Sequence, residues 1–428
     1  MPDDGPGCNL PMKPRVEAPL MQEAPPVPGV VPTTTPRVVS IDIFRGLTMA
    51  VMIFVNALSE VRGLPWWTYH APASVDVMTY VDMVFPFFLF AVGLSLPLSV
   101  AQRLKRNSSL SALLAHVAVR VLGLIVLGEV LANAEKADQA RMGMSGSIWA
   151  LLALICASLY LNVYGKSERT KTSSRVLRAV GLAGVILLLV LFRRTTAGGH
   201  AAWLDFSYPE ILGLIGYGYL AAAILYIPTR RWSWAPAVWF ILLVSLCALS
   251  TAKIVTFPDR LPLYLWPFGN GAMCCIIMAG VVASTIVLRS DGRLLPNKAI
   301  PLAVGFSVVT LLAGRVLAPL GISKIRATPT WSLYSIAVSI LLFTLLYWIC
   351  DLKQWRSWAV IVRPAGSNTL LTYLLPDLWY FLLSAAGFTY LDMHFNAGWH
   401  GVVKTLIFTS LVLAAAGALS KARIRLQF

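Results

Sequence analysis

Twelve stretches of roughly twenty mostly apolar residues, each long enough to cross a bilayer, follow one another along this chain. They fall at about 41–59, 79–101, 112–132, 145–164, 177–195 and 209–227, then at about 235–252, 270–288, 299–320, 330–350, 366–387 and 401–420. In lipid each of these segments must satisfy its own backbone hydrogen bonds, and the α-helix does so. Composition agrees, with 57% hydrophobic and 13% charged residues and a mean hydropathy of +0.72. That is about half the charged fraction a soluble domain uses to hydrate its surface. The expectation is an all-α polytopic membrane protein with about 12 transmembrane helices and about 10 at the fewest. The fifth stretch ends on Arg193 and Arg194, and the eleventh carries Pro376 and Asp377 mid-span. A kink or a re-entrant path is expected at these two.

The net charge of +16 is spread over the connecting segments. With the N-terminus in the cytoplasm, 22 of the 35 lysines and arginines fall in cytoplasmic segments and nine in outer ones, a bias that puts both termini inside. Cations divided among many short loops argue against nucleic-acid binding, which gathers them on one face. Residues 1–36 hold ten of the 26 prolines and read as a disordered cytoplasmic tail, leaving 37–428 as the transmembrane domain. No cleavable signal peptide is expected, because the first apolar run begins after Arg37 and is a full span. The six cysteines form neither a disulfide framework nor a zinc spacing. No fixed-period repeat and no matched pair of interrupted helices marks a transporter.

Ionised side chains are expensive at membrane depth, so each one in or beside a span is a candidate for function. The first span opens with Asp42 and Arg45, an i, i+3 pair followed by Gly46, which reads either as a structural ion pair or as part of a site. Asn56 lies about three turns further on, placed to bond a substrate or a neighbouring helix. The outer loop that follows carries Trp66, Trp67, Tyr69 and His70. The tryptophans suit interfacial anchoring as well as binding. The histidine is the side chain best suited to moving a proton near neutral pH. Asp82, at the start of the second span, would either hold the imidazole of His70 or cap its own helix. His394 and His400, with Asp392 nearby, do not establish ligand geometry, so no metal is expected.

These residues form an ordered series. Asp42 through Gly46, Val55-Asn56, His70-Ala71, Asp82 through Phe90 and Gly93-Leu-Ser95 resemble the catalytic core of the heparan-alpha-glucosaminide N-acetyltransferase family. Pro209 through Gly216, Gly269-Asn-Gly271, Lys324, Thr330-Trp331-Ser332, Trp348 with Asp351, and Gly366-Ser-Asn368 continue the resemblance, which covers roughly residues 37–420. It implies a transmembrane acyltransferase-like bundle in which acetyl-CoA, as cosubstrate, enters from the cytoplasm and an amino sugar accepts the acetyl group on the other side. Carried over residue by residue, it makes His70 catalytic, with Asn56 as the asparagine before it. The chain departs from that pattern in a longer segment between Asn56 and Asp82, in Pro72-Ala73-Ser74 after His70-Ala71, and near Pro376-Asp377, where a histidine of the family is replaced. Two spans, near 145–164 and 177–195, are additional to the lysosomal form and match a bacterial subgroup.

The resulting expectation is a bacterial inner-membrane N-acetyltransferase with its His70 loop in the periplasm. His70 would serve as general base, Asp82 would fix its tautomer, and Asn56 would donate to the oxyanion. Asp42, Arg45, Arg103 and Arg106 are the candidates for the acetyl-CoA side, although positive-inside topology also accounts for the two loop arginines. Trp66, Trp67, Lys324, Trp331 and Asn368 are the candidates for contacting the amino sugar. Direct transfer and an acetyl-histidine intermediate both remain open, as does a homodimer. A sugar permease making no bond and an O-acyltransferase of a surface polysaccharide are the competing readings. The latter shares the Asp-x-x-Arg-Gly opening but has a histidine about where Asn56 stands.

Overall fold

The computed structural model describes residues 38–165, 168–257, 269–287 and 296–428. The expected tail over 1–36 lies outside them. Among the described residues, eight helices are long and apolar enough to cross a membrane. They are α1 (Val39–Leu58), α2 (Val81–Arg106), α3 (Leu110–Asn133), α6 (Glu168–Leu191), α7 (Glu210–Thr229), α10 (Pro296–Val316), α11 (Pro329–Tyr347) and α15 (Gly398–Lys421). Four of the twelve expected spans are shorter apolar helices: α5 (Gly146–Leu161), α8 (Ala235–Thr251), α9 (Ala272–Val287) and α13 (Thr369–Ala385). At 1.5 Å per residue, a helix of 16 or 17 residues reaches about 25 Å, below the hydrocarbon thickness of about 30 Å. Among the described residues, the short helices α4 (Gln139–Met142), α12 (Arg363–Ser367) and α14 (Tyr390–His394) complete the set of α-helices, with one two-stranded hairpin pairing Arg194–Thr195 and Ala201–Ala202. The fold is therefore nearly all-α.

Burial divides the helices into two groups. The apolar stretches of α1, α2, α7 and α11 are 61–72% buried inside the protein, and Ala272–Ala283 of α9 is packed among them. By contrast, α3, α6, α10 and α15 are 11–28% buried and turn residues such as Leu122, Leu187, Val309 and Leu411 outward. Apolar side chains on the outer surface suit a body whose solvent is hydrocarbon.

Small residues set the tightest crossings. A Cβ on Gly93 would overlap the Ile277 carbonyl, and one on Gly280 would overlap that of Phe90, so α2 and α9 meet backbone to backbone. Gly46 and Gly366 do the same for α1 and α12, where added Cβ atoms would overlap the carbonyls of Val362 and Asp42. The start of α1 is capped from a distance. Asp351, on the wider turn Trp348–Leu352 that ends α11, accepts from the backbone N–H groups of Val39 at 3.1 Å and Ser40 at 2.9 Å. A carboxylate there satisfies two orphan donors and complements the helix dipole.

Candidate active site

Pro86 shapes the start of α2. Proline has no N–H to give residue i−4, so the carbonyl of Asp82 loses its helical partner. Trp331 of α11 replaces it, donating its indole N–H to that carbonyl at 3.0 Å while fully buried. The tryptophan thus clamps the backbone that carries Asp82 and sits behind the site rather than on its surface.

The Asp82 side chain is buried and fully engaged. Oδ1 stands 2.7 Å from His70 Nδ1, while Oδ2 accepts from Thr79 N at 3.0 Å and Ala71 N at 3.3 Å, with Thr79 Oγ1 in contact at 3.2 Å. An ionised carboxylate at 2.7 Å makes Nδ1 the protonated ring nitrogen and leaves Nε2 as the site for accepting a proton. The His70 side chain is 40% exposed, so the pair has a buried end and an open end. Its loop is held by Tyr69, whose hydroxyl donates to Val61 O at 2.5 Å, and by Thr79 Oγ1, which donates to Tyr69 O at 2.9 Å.

A second loop brings a cation. Asp76 pairs with Arg326 and accepts from Ile322 N at 3.2 Å, docking the His70 loop onto residues 321–328. Lys324 Nζ then lies 3.2 Å from Nε2 of His70 and 3.3 Å from Nδ1. Near-equal distances place the ammonium over the edge between the two nitrogens, not along one lone pair. Burial pushes the Lys324 pKa down, against the attraction of the Asp82 and Glu210 carboxylates.

Two cavities reach into the bundle from this frame. One, of about 410 Å³, lies along the first half of α1 and the second half of α2. Its lining includes Arg45, Arg103, His116 and Arg120, with no Asp or Glu side chain. Arg45 donates to Thr369 Oγ1 at 2.7 Å, and Arg120 rests over the Tyr219 ring. The other, of about 750 Å³, lies along the second half of α1. Four carboxylates, Glu60, Glu135, Glu210 and Asp377, line it together with Lys136 and Lys404. Asn56 and Tyr208 face the same space. Tyr373 lines both cavities and is only 9% exposed. Glu210, in the acidic cavity, is within electrostatic reach of Lys324. It holds φ at +55°, an uncommon backbone for a residue with a side chain, at the first position of α7.

The expected site residues therefore fall into separate places. His70, Asp82 and Lys324 come together, with Trp331 behind them. Asn56 lines the acidic cavity, which is bordered by neither His70 nor Asp82. Arg45 and Arg103 line the basic cavity, whereas Arg106 is exposed outside it and Asp42 is buried at the crossing of α1 with α12. Asn368 is buried in the wall of the basic cavity, donating to Ser420 Oγ and Ile424 O and accepting from Leu426 N. Trp66 and Trp67 are 66% and 52% exposed, and Trp67 packs near Tyr80. Glu210, Tyr373, Asp377, His116 and Arg120 were not among the expected contacts. For Arg120 and Asp377, a charge inside an apolar span was the available signal. Among the described residues, no group of three His, Cys, Asp or Glu side chains is placed to hold a metal ion.

The chain is similar to heparan-alpha-glucosaminide N-acetyltransferase of Homo sapiens, at 39% identity over 98 residues, or 23% of this chain and 14% of that protein. It is similar to the Mus musculus protein of the same name at 36% identity over 97 residues, again 23% of this chain and 14% of the relative. The chain thus spans about one seventh of the length of these curated relatives. A family-level match covers more than half of the chain: over residues 37–279 it belongs to the family described as a domain of unknown function (DUF5009).

Proposed function

We propose that this protein transfers an acetyl group from acetyl-CoA to the amine of an amino sugar across the bundle. The observation that carries the reading is the pair of oppositely charged cavities meeting at Tyr373, together with a His70–Asp82 pair whose carboxylate is buried and whose imidazole is open. Phosphates suit a cavity with three arginines and no Asp or Glu side chain, and a protonated amine suits one with an excess of carboxylates. With the basic cavity on the cytoplasmic side of a bacterial inner membrane, only the acetyl group has to pass Tyr373.

The chemistry follows from the residues. An ammonium cannot attack a thioester, so a proton must first leave the acceptor. Nε2 of His70 takes a proton as the amine nitrogen bonds the thioester carbonyl, while Asp82 holds the Nδ1–H tautomer and the imidazolium that forms. Lys324, beside the imidazole, supplies positive charge to the developing oxyanion, and Asn56 orients the acceptor. Collapse breaks the carbon–sulfur bond, and the thiolate leaves as CoA thiol with one proton. The products are an N-acetylated sugar, CoA and one further proton per ammonium consumed.

The test uses the full-length protein in nanodiscs with acetyl-CoA and glucosamine. Thiol release in step with an N-acetylated product is expected. Release without an acetylated sugar, or uptake of unmodified sugar into vesicles without acetyl-CoA, overturns the reading, the latter in favour of a permease. An ester-linked product would instead identify an O-acyltransferase.

A further inference from the structure

The acidic cavity has an apolar neighbour. A third cavity, a cleft of about 590 Å³, opens between α13 and α15 and is lined by Trp379, Leu383, Phe388, Val403, Ile407 and Leu411, among others. Ala57, Tyr380, Lys404 and Phe408 line this cleft and the acidic cavity alike, so one wall serves both. The cleft is open on the outer face of α15, where Val403, Ile407 and Leu411 are 52–61% exposed. That helix is of membrane-spanning length and composition, so the opening faces hydrocarbon. The combined site is amphipathic. One end suits methylene groups delivered from the bilayer, and the other suits a cation. A free amino sugar matches only the second.

We infer that the acceptor is an amino sugar carried on a hydrocarbon chain, with the amine in the acidic cavity and the chain lying between α13 and α15; this rests on the acetyl-transfer reading above. Lipid tails are as apolar as the cleft, so a chain already in the bilayer gains little transfer free energy on entering it. The cleft supplies position instead. It aligns a headgroup arriving along the membrane plane, at the depth of Lys404 and Tyr380, with the carboxylates beyond.

The probes are glucosamine and dodecyl glucosaminide, each assayed with acetyl-CoA and the full-length protein in nanodiscs. Dodecyl glucosaminide is expected to show a kcat/KM higher by about tenfold or more. Partitioning into the bilayer alone would give part of that gain, but it would persist when the cleft is filled. Leu383→Trp and Val403→Trp are therefore expected to cut the ratio of the two kcat/KM values by about tenfold. Equal values for the two acceptors, or a ratio unmoved in both variants, overturns the inference.

A second measurement does not require turnover or the variants. Dodecyl glucosaminide with a diazirine in its chain should label peptides from 369–421, and unlabelled dodecyl glucosaminide should displace it while dodecyl glucoside should not. Even labelling of all lipid-facing helices, or equal displacement by the glucoside, reduces the cleft to an ordinary lipid groove and overturns the inference. Selective displacement without acetylation of either acceptor sinks the transfer reading while the binding assignment stands.

Discussion

His70 Nδ1 stands 2.7 Å from Asp82 Oδ1, and the other carboxylate oxygen is held by the backbone of Ala71 and Thr79. This leaves Nε2 as the nitrogen able to take a proton. Asp82→Asn preserves the shape but can present the wrong tautomer. It is expected to lower kcat by about 10²–10⁴-fold with little change in either KM. His70→Ala should lose at least as much, and the double variant should be no worse than His70→Ala alone, because the two act as a unit. Asp82→Asn turning over within about threefold of the wild-type rate would remove the pair from the chemistry.

The indole N–H of Trp331 satisfies the Asp82 carbonyl that Pro86 leaves without a helical donor. Trp331→Phe keeps much of the ring volume and deletes the bond, leaving a buried carbonyl unpaired at a cost of about 1–3 kcal/mol. Pro86→Ala in the same background restores a backbone N–H for that carbonyl and is expected to recover part of the lost thermal stability. Stability unchanged in Trp331→Phe, or lowered further by Pro86→Ala, would show that this bond is not what couples α2 to α11.

Lys324 carries a charge that burial disfavours. Its folded pKa lies below the ordinary 10.5, so at neutral pH the folded state bears the burial cost of the ammonium. That cost is relieved as pH rises through the depressed folded value and is gone above 10.5, where the unfolded lysine is neutral as well. Lys324→Met is therefore expected to melt a few degrees higher than wild type at pH 7, with the difference shrinking toward alkaline pH. The same variant should lower kcat by about tenfold or more, through loss of the cation beside His70. A melting difference that widens with pH would reverse the sign and refute the burial argument.

Much of the bundle was legible from apolar length alone, because lipid leaves a chain few other solutions. The four short helices were not. A run such as 366–387 is mostly apolar, yet Asn368, with φ −130° and ψ 53°, separates α12 from α13 to meet the backbone near Ile424 and Leu426. Such a break depends on residues far along the chain, which local hydropathy does not contain. The same division applies to the site. His70 and Asp82 are twelve positions apart on one loop and the helix it enters, so their pairing was a local expectation. Lys324 comes to them through Asp76 and Arg326, a placement that does not follow from spacing. Asn56 shares α1 with Arg45, but the two line different cavities, which a reading of helix faces alone did not separate.

Tyr373 is the wall common to the basic and acidic cavities, and its hydroxyl lies within electrostatic reach of Asp377 and Glu210. If acetyl transfer runs as proposed, a bulky ring at this wall shields the thioester from water in the acidic cavity until an acceptor is present. Size and hydroxyl can be tested apart. Tyr373→Ala removes the wall and should raise acetyl-CoA hydrolysis in the absence of amine by about tenfold, while transfer to the amine falls. Tyr373→Phe keeps the wall, so hydrolysis should stay near the wild-type rate. Any loss of transfer in that variant would then belong to the hydroxyl. The measurement is CoA thiol released per N-acetylated product, which should stay near one in wild type and Tyr373→Phe and rise well above one in Tyr373→Ala. A ratio that remains near one in Tyr373→Ala would show that the cavities are separated by something other than this ring.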